Sequence, residues 1–190
     1  MIDFDFITKF YNDDPDVWAT ILGPERHYHH GFFFGDETLE AACQTSTRLL
    51  YPVIRRGSRV LDIGSGWGGP GHQIARELGA SIVGITSSPK QKEVCNFDVE
   101  IGNFDKEFPS GRFDVAISVE SFDHSNDIPG MFRRLSKVTD TVAFTVNVSD
   151  DMPGLYFNDT CYLHTWQFYV DAMLSSGFRP CLLYTSDAAD

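Results

Sequence analysis

What this 190-residue chain has little of narrows its function first. Basic residues are scarce: 15 Lys and Arg stand against 27 Asp and Glu, a formal charge of −12. A surface that acidic repels phosphate backbones, and no basic cluster exceeds the pairs Arg55-Arg56 and Arg133-Arg134, so a nucleic-acid partner is not expected. No apolar run reaches the ~18 residues that cross a bilayer. The start, MIDFDFITKFYNDDPD, lacks the basic opening and apolar middle of a signal peptide. We therefore expect no stable membrane insertion and a cytoplasmic protein. Cysteine is sparse too: Cys43, Cys95, Cys161 and Cys181 are scattered, with no CxxC pair. Idle thiols in a reducing compartment are the simplest reading.

Aromatic residues, in contrast, are plentiful at 14%, with sixteen Phe, which predicts a core or pocket with large flat walls. The length suits one compact domain. Residues 1–54 read as an aromatic and helical cap. Within it Asp16 opens a short helix through Leu22, and Thr38 to Ile54 forms an amphipathic helix with Leu39, Ala42, Leu49, Leu50 and Val53 facing inward. From 55 to 180 strands and helices alternate. Strands are expected at SRVLDIG, ASIVGIT, NFDVEIGNF, FDVAISVES, TVAFTVNVS and FRPCLLYT. Helices are expected over 70–78, from Pro89 to no further than Cys95, over 128–138 and over 165–175, with a loop from 150 to 159. This alternation predicts an α/β fold: a Rossmann-like, doubly wound, mostly parallel sheet with helices on both faces. The last ten residues, CLLYTSDAAD, look like the in-frame translation of a sequencing-library adapter. We expect 181–190 to be a non-native tail and a native C-terminal strand to be missing.

Chemistry concentrates in a glycine loop after the first strand, VLDIGSGWGG. Glycines there let the backbone turn sharply beside a helix N-terminus that favours negative charge. A dinucleotide site wants GxGxxG and an acid about 20 residues on; here the spacing is GxGxGG, and the second strand ends in Thr86-Ser87-Ser88. With GITSSPKQ following, the sequence resembles the class I S-adenosylmethionine-dependent methyltransferases. It looks most like the branch holding cyclopropane fatty-acid synthases, tocopherol-type O-methyltransferases and sarcosine/dimethylglycine N-methyltransferases. The resemblance runs from about His27 to Gly177.

The resemblance implies S-adenosyl-L-methionine as cofactor. Gly64, Ser65, Gly66 and Gly68 would hold its methionine part, and Asp62 would orient the loop and the cofactor's amino group. Thr86, Ser87 and Gln91 would take the ribose hydroxyls; the alternative is that Thr86 and Gln91 only cap a strand end and a helix. Asn103 and Phe104 would bond and wall the adenine. In SVESFDHSND, Glu120 would face the cofactor or a helix end, and Asp123 would anchor a cationic acceptor or, in a cyclopropane-synthase-like enzyme, a bicarbonate. His124 suits the proton leaving the acceptor, since imidazole as a side-chain type exchanges protons near neutrality. Its other reading is a helix cap or a bond to a backbone carbonyl. His30-Gly31-Phe32 matches the family's entry arm, which covers the cofactor and helps wall the substrate, and Tyr156 would line the acceptor pocket.

Clustered His27, His29 and His30 invite a metal, but zinc needs ligands at helical or knuckle spacing plus a distant partner, so none is expected. The leading function is methyl transfer to O or N of a small-molecule acceptor. The alternatives are a lipid C-methyl or cyclopropane-type transferase, an inactive methyltransferase-like binding domain and, disfavoured by the glycine spacing, a nicotinamide-linked oxidoreductase.

Overall fold

Five segments pair side by side into one sheet: the central ones are buried from both faces, while the two edge strands, over residues 98–101 and 142–145, are partly exposed. In the computed structural model, which describes residues 1–156 and 160–181, these are β1 (Arg59–Ile63), β2 (Ser81–Thr86), β3 (Asp98–Ile101), β4 (Val115–Val119) and β5 (Val142–Thr145). Their order is β3-β2-β1-β4-β5 and every pairing is parallel. Asp62 sits opposite Gly84 on one side and Ile117 on the other. The order reverses at β1, so the carboxyl ends of β1 and β4 open the crevice where such sheets bind ligands.

Strand alternation sends side chains to two cores. Leu61 and Ile63 pack with Phe122, Met131, Phe132 and Leu135 beneath α6 (Ile128–Leu135) and α7 (Trp166–Ser175). Val60, Ile82 and Val115 pack with Leu50, Ile54 and Ile74, the last on α4 (Gly69–Leu78). Helices therefore cover both faces, as the sequence pattern predicted. The remaining helices are α1 (Phe4–Phe10), α2 (Pro15–Leu22), α3 (Leu39–Arg48) and α5 (Pro89–Val94).

Several expectations need correction. Residues 4–10 form a helix that the alternation of acids and aromatics concealed; Asp3 caps it by accepting from the Asp5 and Phe6 amides. The helix foreseen from 38 to 54 stops at Arg48, and Pro52 sits in a separate short turn of 3-10 helix, Tyr51–Val53. Its inward face is Ala42, Cys43, Ser46 and Thr47, while Leu39 is half exposed. β5 ends at Thr145 rather than Ser149. The stretch foreseen as loop, 150–159, holds a short strand, β6 (Gly154–Tyr156), which pairs antiparallel with β7 (Cys161–Leu163) just beyond it. Residues 178–181 are not in a strand, and 182–190 lie outside the described residues, as does most of the foreseen tail. No helix among the described residues is long and apolar enough to cross a membrane.

Candidate functional site

The loop after β1 is shaped by backbone that only glycine adopts cheaply. Gly64, Gly66 and Gly68 have φ of +68°, +51° and +86°. At Gly64 a Cβ would also collide with the Ser121 side chain, whose hydroxyl donates to the Ile63 carbonyl at 2.7 Å. The Ser65 amide donates to the Ile85 carbonyl at 3.0 Å and the Gly68 amide to Ser65 at 2.9 Å, so the loop is pinned to β2 before α4 begins. Gly68 is the residue from which α4 starts.

A cavity opens above this loop. Of the residues foreseen for the site, Asp62, Gly64, Ser65, Gly66, Thr86, Ser87, Gln91, Phe104, Glu120 and His124 line it. Asn103, Gly68, His30 and Asp123 do not. Asn103 turns its side-chain carbonyl to the Asp105 amide at 2.8 Å, leaving Gly102 and Phe104 on the wall. Tyr156 ends β6, and its side chain lies outside the described part of the structure.

Asp62 is 2% exposed, and its Oδ2 has no hydrogen-bond partner among the described residues. Burial pushes its carboxyl up to about 7. A buried carboxylate without a partner is costly, and an ammonium group in the cavity would satisfy it. Beside it the Thr86 hydroxyl donates to Gln91 Oε1 at 2.5 Å. Ser88 caps α5 by accepting from the Gln91 amide, so capping is not what Gln91's side chain does.

Glu120 occupies left-handed backbone, φ +51°, at the end of β4. Its carboxylate accepts from the His30 amide at 3.0 Å and pairs with His30 Nδ1 at 2.7 Å. His30 therefore ties the N-terminal segment down from outside, its side chain 79% exposed. Tyr28 and His29 line the cavity in its place. His29 Nδ1 meets the His30 carbonyl at 2.9 Å and its Nε2 meets His27 Nδ1 at 3.0 Å. Carbonyl oxygen only accepts, so His29 donates from Nδ1 and receives from His27, and burial holds both rings below their ordinary pKa. Among the described residues no group of three or more His, Cys, Asp and Glu can hold a metal ion.

His124 sits in a short 3-10 turn, Phe122–His124, directly after β4. Its Nδ1 lies 2.6 Å from the Thr160 carbonyl and its Nε2 3.2 Å from the Tyr11 hydroxyl. The carbonyl requires Nδ1–H, so Nε2 keeps a lone pair facing Tyr11. The bond to a backbone carbonyl foreseen as the other reading is therefore present, and it fixes the ring with Nε2 toward Tyr11. Asp127, not His124, caps α6. Asp123 is buried, its Oδ1 without a hydrogen-bond partner among the described residues and its Oδ2 3.4 Å from Asn147 Nδ2; burial raises its pKa. Tyr11, at the end of α1, was not foreseen. No local signal marks it, because its partner lies 113 positions away.

Comparison with known proteins bears on this arrangement. The family model of mycolic acid cyclopropane synthetase matches residues 2–142. The chain is 28% identical over 160 residues to a chloroplastic tocopherol O-methyltransferase of Arabidopsis thaliana, covering 70% of this chain and 45% of that protein. It is 31% identical over 123 residues to the cyclopropane-fatty-acyl-phospholipid synthase of Escherichia coli (strain K12), covering 61% of this chain and 32% of that one. The chain thus spans less than half the length of these relatives. A cyclopropane synthase structure from Mycobacterium tuberculosis superposes with a TM-score of 0.79 at 18% identity, covering 93% of this chain and 75% of that one, which shows the shared fold. The glycine loop, the cavity at the β1/β4 reversal and the family match agree: the chain belongs to the mycolic acid cyclopropane synthetase family, a branch of the class I S-adenosylmethionine-dependent methyltransferases.

Proposed function

We propose that the chain binds S-adenosyl-L-methionine in this cavity and transfers its methyl group to O or N of a small-molecule acceptor. The residues fit the cofactor: a glycine loop of positive-φ backbone, a buried carboxylate awaiting a cation, and neutral Thr86 and Gln91 at the end of β2. Asp62 takes the amino group, the loop amides face the methionine part, and Phe104 walls the base. When bound, the cofactor supplies an electrophilic methyl on a positively charged sulfur. The protein's task is alignment and removal of one proton.

The observation that carries the acceptor chemistry is the paired bond at His124. With Nδ1 committed to Thr160, Nε2 is the available base. Burial raises the Tyr11 pKa, so its hydroxyl stays protonated, donating to Nε2 while its oxygen can accept from the acceptor's O–H or N–H. The acceptor proton then passes to Tyr11 oxygen as the Tyr11 proton passes to His124 Nε2.

A second reading, transfer to a lipid carbon, draws on the apolar wall formed by Phe4, Ile7, Phe104 and Val119 and on relatives named for tocopherol and fatty-acyl phospholipid. Calorimetric titration with S-adenosylhomocysteine, with NADH as control, tests the cofactor; micromolar binding of the first alone is expected. A methylation screen over hydroxyl, amine and unsaturated acyl acceptors then separates the readings. His124→Ala is expected to lower turnover about 10²–10⁴-fold with S-adenosylhomocysteine affinity unchanged. Unchanged turnover would remove His124 from the reaction, and cofactor binding without turnover on any acceptor would point to a binding domain.

A further inference from the structure

Three residues that line the cavity carry buried polar atoms without a hydrogen-bond partner among the described residues. Asp62 Oδ2, Trp67 Nε1 and Arg26 Nε are all in this state, and all three residues line the cavity. Trp67 is 1% exposed. The Arg26 side chain makes no hydrogen bond or ion pair with any described residue, and the neighbouring acid, Glu25, is taken by Arg76 at 2.7 Å. An arginine, an indole N–H and a carboxylate thus line one pocket with no hydrogen bond among these three atoms. Two donors and one acceptor are what an α-amino-acid group requires: donors for its carboxylate, an acceptor for its ammonium.

We propose that Arg26, together with Trp67, recognises the carboxylate of the cofactor's amino-acid end while Asp62 takes the ammonium, so that these three residues read the zwitterion as a unit. The proposal rests on the cofactor reading above and deepens it by assigning two residues that the sequence pattern did not mark.

Backbone geometry supports a built site. Among the described residues, Arg26 is one of two non-glycine residues in left-handed backbone, φ +52°, the other being Glu120 in the same cavity. Such backbone is disfavoured for L-residues and persists where packing enforces it. Packing does so here: the Glu25 and Arg26 carbonyls and the His27 Cα lie so close to Gly69 that a Cβ there would stand 2.9 to 3.0 Å from each. The segment is thus pressed onto the first turn of α4, and the Arg26 amide closes a turn onto the Gly23 carbonyl at 3.2 Å. Arg26 is held over the glycine loop by main-chain contacts, which leaves its guanidinium for a ligand.

The test separates the amino-acid end from the nucleoside. S-adenosylhomocysteine carries the zwitterion, whereas 5′-methylthioadenosine keeps adenosine and sulfur without it. Titrating the 190-residue chain with both, the wild type is expected to prefer S-adenosylhomocysteine by about 100-fold. Arg26→Gln is expected to lose about 10–100-fold for S-adenosylhomocysteine and less than about twofold for 5′-methylthioadenosine. Arg26→Lys should recover part of the loss and Trp67→Phe show a smaller one. A change in both affinities by the same factor, or in neither, overturns the proposal. Equal wild-type affinity for the two compounds overturns it while leaving the nucleoside site standing. Binding of neither compound by the folded wild type overturns the cofactor reading and this proposal together.

Discussion

The cavity is bounded by two regions that are built in opposite ways. Below lies the sheet, where Val60, Leu61, Ile63, Val115, Ala116 and Ile117 are buried apolar residues held by strand pairing and packing. Above lies the N-terminal segment, residues 1–38, which holds on through a few apolar anchors, Ile2, Ile7 and the Phe4 and Trp18 rings, and through separate polar ties. Ile2 exchanges two hydrogen bonds with Asn126, Ser88 donates to the Tyr11 carbonyl, Cys43 donates to the His29 carbonyl, and Glu120 holds His30. The upper region also exposes apolar groups that the sheet would bury, among them Phe6, Phe10, Ile21 and Phe34. Apolar burial is cooperative and scales with area, whereas each hydrogen bond contributes only about 0.5–1.5 kcal/mol net. The difference teaches that the sheet defines the binding site and the segment above it completes the site at lower local stability. Hydrogen exchange should accordingly protect the amides of β1 and β4 far longer than those of α1 and α2.

A substitution on the sheet side should do most damage. Gly64→Ala forces a Cβ into Ser121 from left-handed backbone, so we expect a loss of about 2–4 kcal/mol in stability and no measurable cofactor binding. Chemical denaturation checks the first and calorimetry the second; a wild-type midpoint would show that the loop yields more easily than its packing implies.

Asp62→Asn sharpens the comparison by separating stability from function. The native carboxyl titrates at about 7 rather than 3.8, so the folded state holds this proton more tightly than the unfolded chain. Its stabilising contribution is full below about pH 4 and lost as the pH rises through about 7. Removing the charge should stabilise the ligand-free protein above pH 7 by a few kcal/mol at most, while S-adenosylhomocysteine affinity falls at least tenfold. Its affinity for the wild type should rise with pH up to about 7 and then level off, a dependence the variant should lack.

The upper region should be the acid-sensitive one. His27 is pushed down to about 3 by burial first and then by His29, with Arg76, His72 and Arg48 also facing it. The unfolded chain binds this proton near 6.5, so stability is full above that pH and lost as it falls toward 3. The melting temperature should drop by about 3–7 °C between pH 6.5 and 5, and His27→Gln should flatten the profile. An equally steep profile in the variant would move the effect elsewhere.

Glu120→Gln should be the mildest change. The pair it weakens is exposed on the His30 side, and such pairs contribute about 1 kcal/mol or less. Release of S-adenosylhomocysteine should speed up a few-fold in stopped flow with melting nearly unchanged.

The same division governs what could be read without coordinates. The strand, glycine loop and helix from Arg59 to Leu78 were legible because β-branched runs, glycine spacing and helix period act over fewer than about twenty residues. Residues placed by that local unit, such as Asp62, Gly64 and Gly66, came out on the cavity wall. Asn103 did not, because a short turn to the Asp105 amide competes for its side chain. The β6 and β7 pair was hidden because three-residue strands show no alternation. Chain chemistry alone determined the parallel sheet, its glycine loop and the branch of methyltransferases it resembles, since each depends on backbone preferences and periodicity within a short window. Tertiary structure alone decided that Tyr11 meets His124, that Glu120 clasps His30 and that Arg26 lines the same cavity as Trp67 and Asp62. Those meetings join positions 36 to 113 residues apart, and only strand order and the path of the crossing segment bring them together.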